Sequence, residues 1–185
     1  MLLNAYAQGI FPMAHDDGEI YWYDPDPRAI LPLDKFYVSR SLARTVRQEK
    51  FEVKVNGDFR GTMLGCADRE ETWIDEQILA AYTGLNRHGF AHSVECWQDG
   101  ELVGGLYGVA LRGLFAGESM FSYRRDASKV ALVHLVERLR ERGFVLLDVQ
   151  FPTEHLRRFG VITIPRAAYK AKLARAMMVE AVFAP

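Results

Sequence analysis

The chain has 185 residues, 49% of them hydrophobic, and a formal net charge of −1. This length suits one domain with a core that needs no disulfide or metal. The near-zero charge excludes a global positive field, so any nucleic-acid contact needs a local basic patch. Two cysteines are too few for a disulfide framework, and the longest apolar runs fall far below the ~18 residues of a membrane span. Because residues 1–13 lack a signal-peptide pattern, we expect a cytoplasmic protein. We also expect a monomer.

The first 34 residues are rich in turn signals, such as Asp16-Asp17-Gly18 and Asp24-Pro25-Asp26-Pro27. They predict an irregular N-terminal segment, or a small reduced lobe, over residues 1–34. One main domain is expected over residues 35–185.

Regular elements are predicted from Ser39 onward. Ser39 suits the cap of a short helix, and alternating apolar residues over 51–55 predict a strand. Residues 75–88 have the apolar spacing of an amphipathic helix, which Gly89 ends. A three-strand meander follows, with turn pairs that end in Gly as tight hairpins prefer. Its strands are 91–98, 101–111 and 114–122.

The rest of the chain alternates helices and strands. A wide apolar face predicts a helix from Asp126 or Ser128 to Arg142. The later elements are a strand at 144–151, a helix at 153–159, a strand at 161–164 and a helix after Pro165. This order predicts an α/β (α+β) fold with a mixed, mainly antiparallel sheet and flanking helices. It resembles the GNAT-like acyltransferase fold, an analogy that implies function only weakly.

Nine short motifs run in order along nearly the whole chain and are highly specific in combination. They are Tyr6–Pro12, Trp22–Arg28, Thr72–Ile74, Ala91–Glu95, Leu102–Gly108, Leu114–Ser122, Ala127–Lys129, Asp148–Gln150 and Ile164–Arg166. In these motifs the chain resembles the bacterial leucyl/phenylalanyl-tRNA–protein transferases. Four features differ from the best-known members. The segment before Gly9 is shorter here. Leu106 stands where those members have Met, Leu135 where they have Phe, and Tyr23 where a second Trp is common.

The resemblance implies an aminoacyltransferase. Such an enzyme moves Leu, less readily Phe or Met, from aminoacyl-tRNA to the α-amino group of proteins that begin with Arg or Lys. The transfer marks those proteins for regulated degradation, the N-degron pathway. No metal or nucleotide cofactor is implied, because the aminoacyl ester is already activated.

Asp148 and Gln150 lie two residues apart on a predicted strand, so their side chains share one face. The resemblance places this pair at the reaction centre. We expect Asp148 to accept the amine proton or to hold the amine, and Gln150 to orient the amine or polarise the ester carbonyl. A protein α-amine has a pKa of about 7.7–8, so a modest base is sufficient. From the residues alone, an ion pair or cap is an equally good role for Asp148.

Glu118 and Ser119 lie in the predicted strand 114–122, and the resemblance assigns them to substrate binding, with Glu118 holding an ammonium group. A solvated strand position is the alternative for Glu118. An apolar pocket for the donor side chain should discriminate only loosely among Leu, Met and Phe. Phe115 and Glu118 have opposite parity, so a pocket lined by both requires a β-bulge near Gly117. The pocket candidates, each of which also suits ordinary core, are Leu106, Phe115, Met120, Leu132 and Leu135.

Aromatic and basic residues suggest contacts with tRNA. The resemblance directs Trp22, Tyr23 and Trp73 to the terminal adenosine, where stacking contributes ~1–3 kcal/mol per base. Anchoring of the N-terminal segment is the alternative for Trp22. Basic residues late in the chain suit either phosphate binding or a solvated face; they are Arg138, Arg142, Arg157, Arg158, Arg166, Lys170 and Lys172.

Two other classes of protein were weighed against this one. A coenzyme A-dependent N-acyltransferase would hold pyrophosphate on a Gly-rich turn at a helix start, and residues 123–128 contain no Gly. A non-catalytic adaptor for basic protein N-termini would use Glu118 and Asp148 but would need neither Gln150 nor the aromatic residues. The sequence contains no typical metal-ligand spacing and no nucleophile elbow. The aminoacyltransferase is therefore the favoured interpretation.

Overall fold

The computed structural model describes residues 2–184. Nine strands are described: β1 (Phe11–Ala14), β2 (Ile20–Tyr23), β3 (Arg28–Ile30), β4 (Glu52–Val55), β5 (Ala91–Gln98), β6 (Glu101–Leu111), β7 (Leu114–Ser122), β8 (Leu146–Gln150) and β9 (Ile162–Ile164). Seven of them form one sheet in the order β4-β5-β6-β7-β8-β3-β9. The β7 and β8 strands are parallel, and the other neighbours are antiparallel. β1 and β2 form a separate hairpin.

Helices cover both faces of the sheet. They are α1 (Leu2–Ala7), α2 (Arg40–Arg47), α3 (Phe59–Ala67), α4 (Glu76–Arg87), α5 (Ala127–Glu141), α6 (Glu154–Arg157) and α7 (Arg166–Ala176), with a 3-10 turn at Leu33–Lys35. Apolar residues of α2 and α5 form one core cluster with the sheet. Residues of α1, α3 and α4 form another. The predicted α/β fold with a mixed, mainly antiparallel sheet is confirmed.

The predicted helix starts and the meander are confirmed in detail. Ser39 Oγ accepts a hydrogen bond from the Leu42 amide at 3.2 Å, which caps α2. The β5–β6 hairpin turns through Asp99 and Gly100, with φ of 53° and 80°. Two consecutive left-handed residues are typical of a type I′ turn, which matches the twist of the flanking strands.

The helix α3 was missed from the sequence. Its polar and apolar residues are poorly separated, since Thr62 is buried and Leu64 is exposed, and it contains Gly61 and Gly65, which disfavour helices. Gly65 is required by packing, because a Cβ there would lie 2.7 Å from the ring of Phe121. Asp58 caps the helix by accepting a hydrogen bond from the Gly61 amide at 2.8 Å.

The prediction that residues 1–34 are irregular is wrong. They contain α1, the β1–β2 hairpin and β3, which lies inside the main sheet between β8 and β9. Three residues are too short to show a period of two, and Pro27 and Pro32 bracket β3 as turn signals would. Within residues 2–184, no helix has the length and apolar character required to cross a bilayer.

Candidate active site

A β-bulge presents Glu118 from the middle of β7. Tyr107 of β6 pairs with Ser119, whereas the next residue, Gly108, pairs with Gly117. Glu118 is therefore the extra residue on the bulged strand. A bulge lies near Gly117, as expected, but Phe115, whose sharing of a pocket with Glu118 was the premise of that expectation, does not line the cavity beside Glu118. The bulge takes Glu118 out of the alternating pattern and directs its carboxylate toward β8 and two helices.

Three side chains from different elements surround the Glu118 carboxylate. Tyr6 of α1 donates a hydrogen bond to Oε1 at 2.6 Å, and Gln150 Nε2 donates to the same oxygen at 3.0 Å. Tyr82 of α4 donates to Oε2 at 3.5 Å, and its hydroxyl also contacts that of Tyr6. Burial raises the pKa of Glu118 to about 7, and the charge of Asp148 acts in the same direction, while the bonds from Tyr6 and Gln150 oppose the shift. Glu118 therefore changes charge near neutral pH.

Asp148 lies in a buried ion pair with Arg28, and each side chain is 1% exposed. Arg28 Nε donates to Oδ1 at 3.0 Å and Nη2 to Oδ2 at 2.6 Å, a bidentate arrangement. Tyr169 donates to Oδ2 at 2.9 Å. The Arg28 guanidinium also lies over the rings of Phe11 and Tyr169, at 4.9 and 4.3 Å from their centroids. The structure thus gives Asp148 the ion pair that the sequence left open as its alternative role.

The same carboxylate holds the backbone of Gln150. The Gln150 amide donates to Asp148 Oδ1 at 2.8 Å, and its φ is 66°, in the left-handed region that residues other than glycine rarely adopt. This conformation at the end of β8 directs the Gln150 side chain to Glu118. The Asp148 carboxylate therefore holds the backbone of Gln150 directly, and the ion pair with Arg28 holds that carboxylate in place.

An apolar cavity of about 90 Å³ lies beside Glu118. It is lined by four of the five predicted pocket residues, Leu106, Met120, Leu132 and Leu135, together with Glu118 and Ser119. Phe115, the fifth, is fully buried in the core with its ring 5.1 Å from that of Phe183. Ser119 accepts a hydrogen bond from Arg69 Nη2 at 2.9 Å, which fixes the polar rim of the cavity.

The predicted aromatic residues do not form one group. Tyr23 stacks on Phe11 at 5.9 Å and meets Phe151 edge-on at 6.3 Å, and Phe151 directly follows Gln150. Trp22, the neighbour of Tyr23 on β2, points to the opposite side of the strand and is 46% exposed. Trp73 packs, partly buried, against the cluster that contains Tyr6. Tyr23 is thus the predicted aromatic residue next to the Gln150 end of β8.

The late basic residues are dispersed. Arg138 donates to the carbonyl of Phe183 at 2.8 Å, and Arg166 donates to that of Asp24 at 2.9 Å. Lys170 pairs with Asp24 at 2.9 Å. Arg142, Arg157 and Lys172 are exposed on different elements. In residues 2–184, no three His, Cys, Asp or Glu side chains are grouped to hold a metal ion.

Tyr6, Tyr82 and Arg28 contribute to the site and were missed from the sequence. Tyr6 and Arg28 lie within two of the motifs on which the resemblance depends, but those motifs alone did not indicate what either side chain does. Tyr82 has the spacing of the buried face of α4, so its hydroxyl contact with Glu118 was hidden by an ordinary core pattern. With the bulged carboxylate, the amide and the cavity, these residues define a candidate acyl-transfer site.

Comparison with known proteins agrees with this class. The family model for leucyl/phenylalanyl-tRNA protein transferase matches residues 30–174, and the model for its N-terminal domain matches residues 1–26. The leucyl/phenylalanyl-tRNA–protein transferase of Herpetosiphon aurantiacus is 61% identical over 184 residues, which cover 99% of this chain and 96% of that protein. The transferase of Maricaulis maris is 58% identical over 188 residues, covering 98% of this chain and 87% of that protein. The chain belongs to the leucyl/phenylalanyl-tRNA–protein transferase family of aminoacyltransferases.

Likeness to solved structures is weaker. The structure of L-PGS from Bacillus licheniformis aligns with a TM-score of 0.45 and 16% sequence identity, covering 80% of this chain and 51% of that one. A likeness at this level supports no argument about fold or function.

Proposed function

We propose that the protein transfers Leu, and less readily Phe or Met, from aminoacyl-tRNA to the α-amino group of proteins that begin with Arg or Lys, marking them for degradation. The observation that carries this proposal is the carboxylate of Glu118 on the wall of an apolar cavity, in contact with the amide of Gln150. A cavity for an apolar side chain beside an anion for an ammonium group matches the two substituents of an aminoacyl ester.

The donor binds with its side chain in the cavity and its α-ammonium group on Glu118. The side chain, the ammonium group and the ester carbonyl are all bonded to the same carbon atom. Fixing the side chain in the cavity and the ammonium group on Glu118 therefore places the carbonyl near Gln150. The carboxylate form of Glu118 is required for this contact. Because the pKa of Glu118 is about 7, donor binding weakens as the pH falls below that value.

In the reaction, the acceptor nitrogen attacks the ester carbonyl carbon and forms the C–N bond. The C–O bond to the ribose breaks, the ribose oxygen takes up a proton, and the amine gives one up. Gln150 donates its amide hydrogen to the developing oxyanion. Asp148 positions Gln150 from its ion pair with Arg28 rather than taking the proton, because its oxygens are already occupied by Arg28, Tyr169 and the Gln150 amide.

The terminal adenosine stacks on the aromatic group formed by Tyr23 and Phe151, next to Gln150. Stacking on an aromatic ring contributes ~1–3 kcal/mol per base and tolerates sequence. Trp73 lies at the end of the β1–β2 hairpin, where the Ala14 amide donates a hydrogen bond to the Trp73 carbonyl. The exposed Trp22 is assigned to the nucleotide that precedes the terminal adenosine.

The fold is proposed to be GNAT-like, with residues 35–185 as its catalytic domain and residues 1–34 as an N-terminal part that contributes β3 to the main sheet. The β5–β6–β7 meander followed by α5 and the parallel strand β8 supports this assignment. Coenzyme A is disfavoured as donor, because the turn before α5 lacks glycine. The buried free thiols of Cys66 and Cys96 support a reducing compartment, and we place the protein in the cytoplasm as a monomer.

Transfer of labelled Leu from Leu-tRNA to a peptide that starts with Arg tests the proposed function, beside a matched peptide that starts with Asp. We expect labelling of the Arg peptide alone. Labelling of the Asp peptide would overturn the acceptor assignment. If the folded protein labels neither peptide from charged tRNA, the proposed function is contradicted.

Filling the cavity should change donor preference. In Leu132→Phe the added ring occupies part of the space, so we expect kcat/KM for Phe-tRNA to fall about tenfold relative to Leu-tRNA. Val145→Phe adds similar bulk at a side chain that is 53% exposed and outside the cavity, so it should leave the ratio unchanged. An unaltered Phe-to-Leu ratio in Leu132→Phe would show that the donor side chain binds elsewhere.

A further inference from the structure

A second cavity lies on the other side of α6 from the donor cavity. Its volume is about 370 Å³, and its walls come from α2, the segment before α5, the first turn of α5 and α6. We call it the basic groove. Its polar lining residues are Tyr37, Ser39, Ser41, Arg125, Asp126, Lys129, His155 and Arg158. The proposed transfer reaction uses none of these side chains.

The groove carries more positive than negative charge. Arg125, Lys129 and Arg158 face Asp126, which lies 2.8 Å from Lys129 and 3.9 Å from Arg125. The side chains of Arg125 and Arg158 are 94% and 76% exposed, and the contact of Arg158 with Glu154 is a surface pair at 3.5 Å. Exposed pairs of this kind contribute little, so both guanidinium groups are available to another anion.

The groove adjoins the donor cavity along two elements. Lys129 and Leu132 lie three residues apart on one face of α5, a rise of about 4.5 Å, and Leu132 lines the donor cavity. On α6, His155 lines the groove while its neighbour Leu156 lines the donor cavity. The groove and the donor cavity are therefore within one helical turn of each other on both α5 and α6.

We propose that the basic groove binds backbone phosphates of the 3′-terminal nucleotides of aminoacyl-tRNA. This assignment rests on the proposed function and adds the path that the strand takes away from the reaction centre. Arginine matches phosphate with two parallel hydrogen bonds, and the hydroxyls of Ser39 and Ser41 supply neutral donors typical of phosphate contacts. A chain of net charge −1 needs such a local site to hold a polyanion.

The test compares two donors, Leu-tRNA and 3′-O-leucyl-adenosine, which has no phosphate. In the double variant Arg125→Ser/Arg158→Ser we expect KM for Leu-tRNA to rise roughly tenfold at unchanged kcat, with the slope of log KM against log salt reduced by about 1.4. Transfer from leucyl-adenosine should stay at the wild-type level, which also shows that the variant is folded. The control variant Arg87→Ser/Arg112→Ser removes equal charge at the opposite end of the sheet and should behave as wild type.

An unchanged KM for Leu-tRNA in the groove variant, or an equal rise in the control variant, overturns the groove assignment. An equal loss with both donors also overturns it, because the substitutions would then act on the donor cavity. Failure of the wild-type protein to use either donor contradicts the proposed function instead.

Discussion

Glu118→Gln should lower kcat/KM for transfer from Leu-tRNA by about 10²- to 10³-fold, the usual loss when a preorganised electrostatic contact is removed from an active site. Gln keeps the size of the side chain and can still accept the bonds from Tyr6 and Gln150, but it cannot pair with an ammonium group. The part of the rise of kcat/KM with pH that is due to ionisation of Glu118 near pH 7 should be absent in the variant, which leaves only the rise due to the acceptor amine, whose pKa is about 7.7–8.

The same variant should be more stable than the parent at alkaline pH. The pKa of Glu118 is raised from 4.5 to about 7, so the neutral form favours the folded state, and stability is lost as pH rises toward 7. Gln does not ionise, and since Glu118 is only partly buried we expect a gain of about 2 kcal/mol in unfolding free energy at pH 8, shrinking toward zero near pH 5. Urea denaturation at the two pH values measures it.

Glu137→Gln is the matched control, because Glu137 is an exposed residue of α5 near His134. It should change neither activity nor the pH dependence of stability. If Glu118→Gln keeps the wild-type kcat/KM, or keeps the wild-type dependence of kcat/KM on pH, Glu118 does not bind the donor.

Asp148→Asn should lower the free energy of unfolding by about 3–5 kcal/mol, because it leaves the Arg28 guanidinium buried without a counter-charge. The substitution also weakens the acceptor for the Gln150 amide, which holds that residue in its left-handed conformation. We therefore expect transfer activity to fall with stability, even at temperatures where the variant remains folded.

Glu180→Gln provides the comparison for an exposed pair, since Glu180 lies 3.2 Å from Arg112 at the surface. It should change the unfolding free energy by less than about 1 kcal/mol. Arg28→Lys should resemble Asp148→Asn more than wild type, because Lys cannot reproduce the two parallel bonds. An Asp148→Asn protein as stable as the parent would contradict a structural ion pair at this position.

Much of the fold followed from local patterns. The meander was predictable because the turn pairs Asp99-Gly100 and Arg112-Gly113 separate its strands. The helices were predictable because Ser39 is a typical cap and the apolar spacing over 75–88 is that of an amphipathic helix. A bulge near Gly117 was expected from parity, but on the premise that Phe115 and Glu118 line one pocket, and Phe115 lies in the core instead. β3 and α3 did not follow, because a three-residue strand has no readable period and the glycines of α3 serve packing.

The site itself was only half predictable. Resemblance directed attention to Glu118, Asp148 and Gln150, but the ion pair that occupies Asp148 joins residues 120 positions apart, and Tyr6 meets Glu118 across 112 positions. No local pattern encodes such contacts, since they arise from the order of strands in the sheet. The basic groove has the same origin, as it collects Ser39, Arg125 and His155 from three distant segments.

The contact between Glu118 and the α-ammonium group of the donor is central to the proposed function. Transfer rates from Leu-tRNA and from tRNA charged with the corresponding 2-hydroxy acid, which lacks that ammonium group, test this contact directly in the wild type and in Glu118→Gln. We predict that the wild type prefers Leu-tRNA by about 10²-fold or more and that the variant shows almost no preference. Equal use of both donors by the wild type, or an undiminished preference in the variant, would contradict the account.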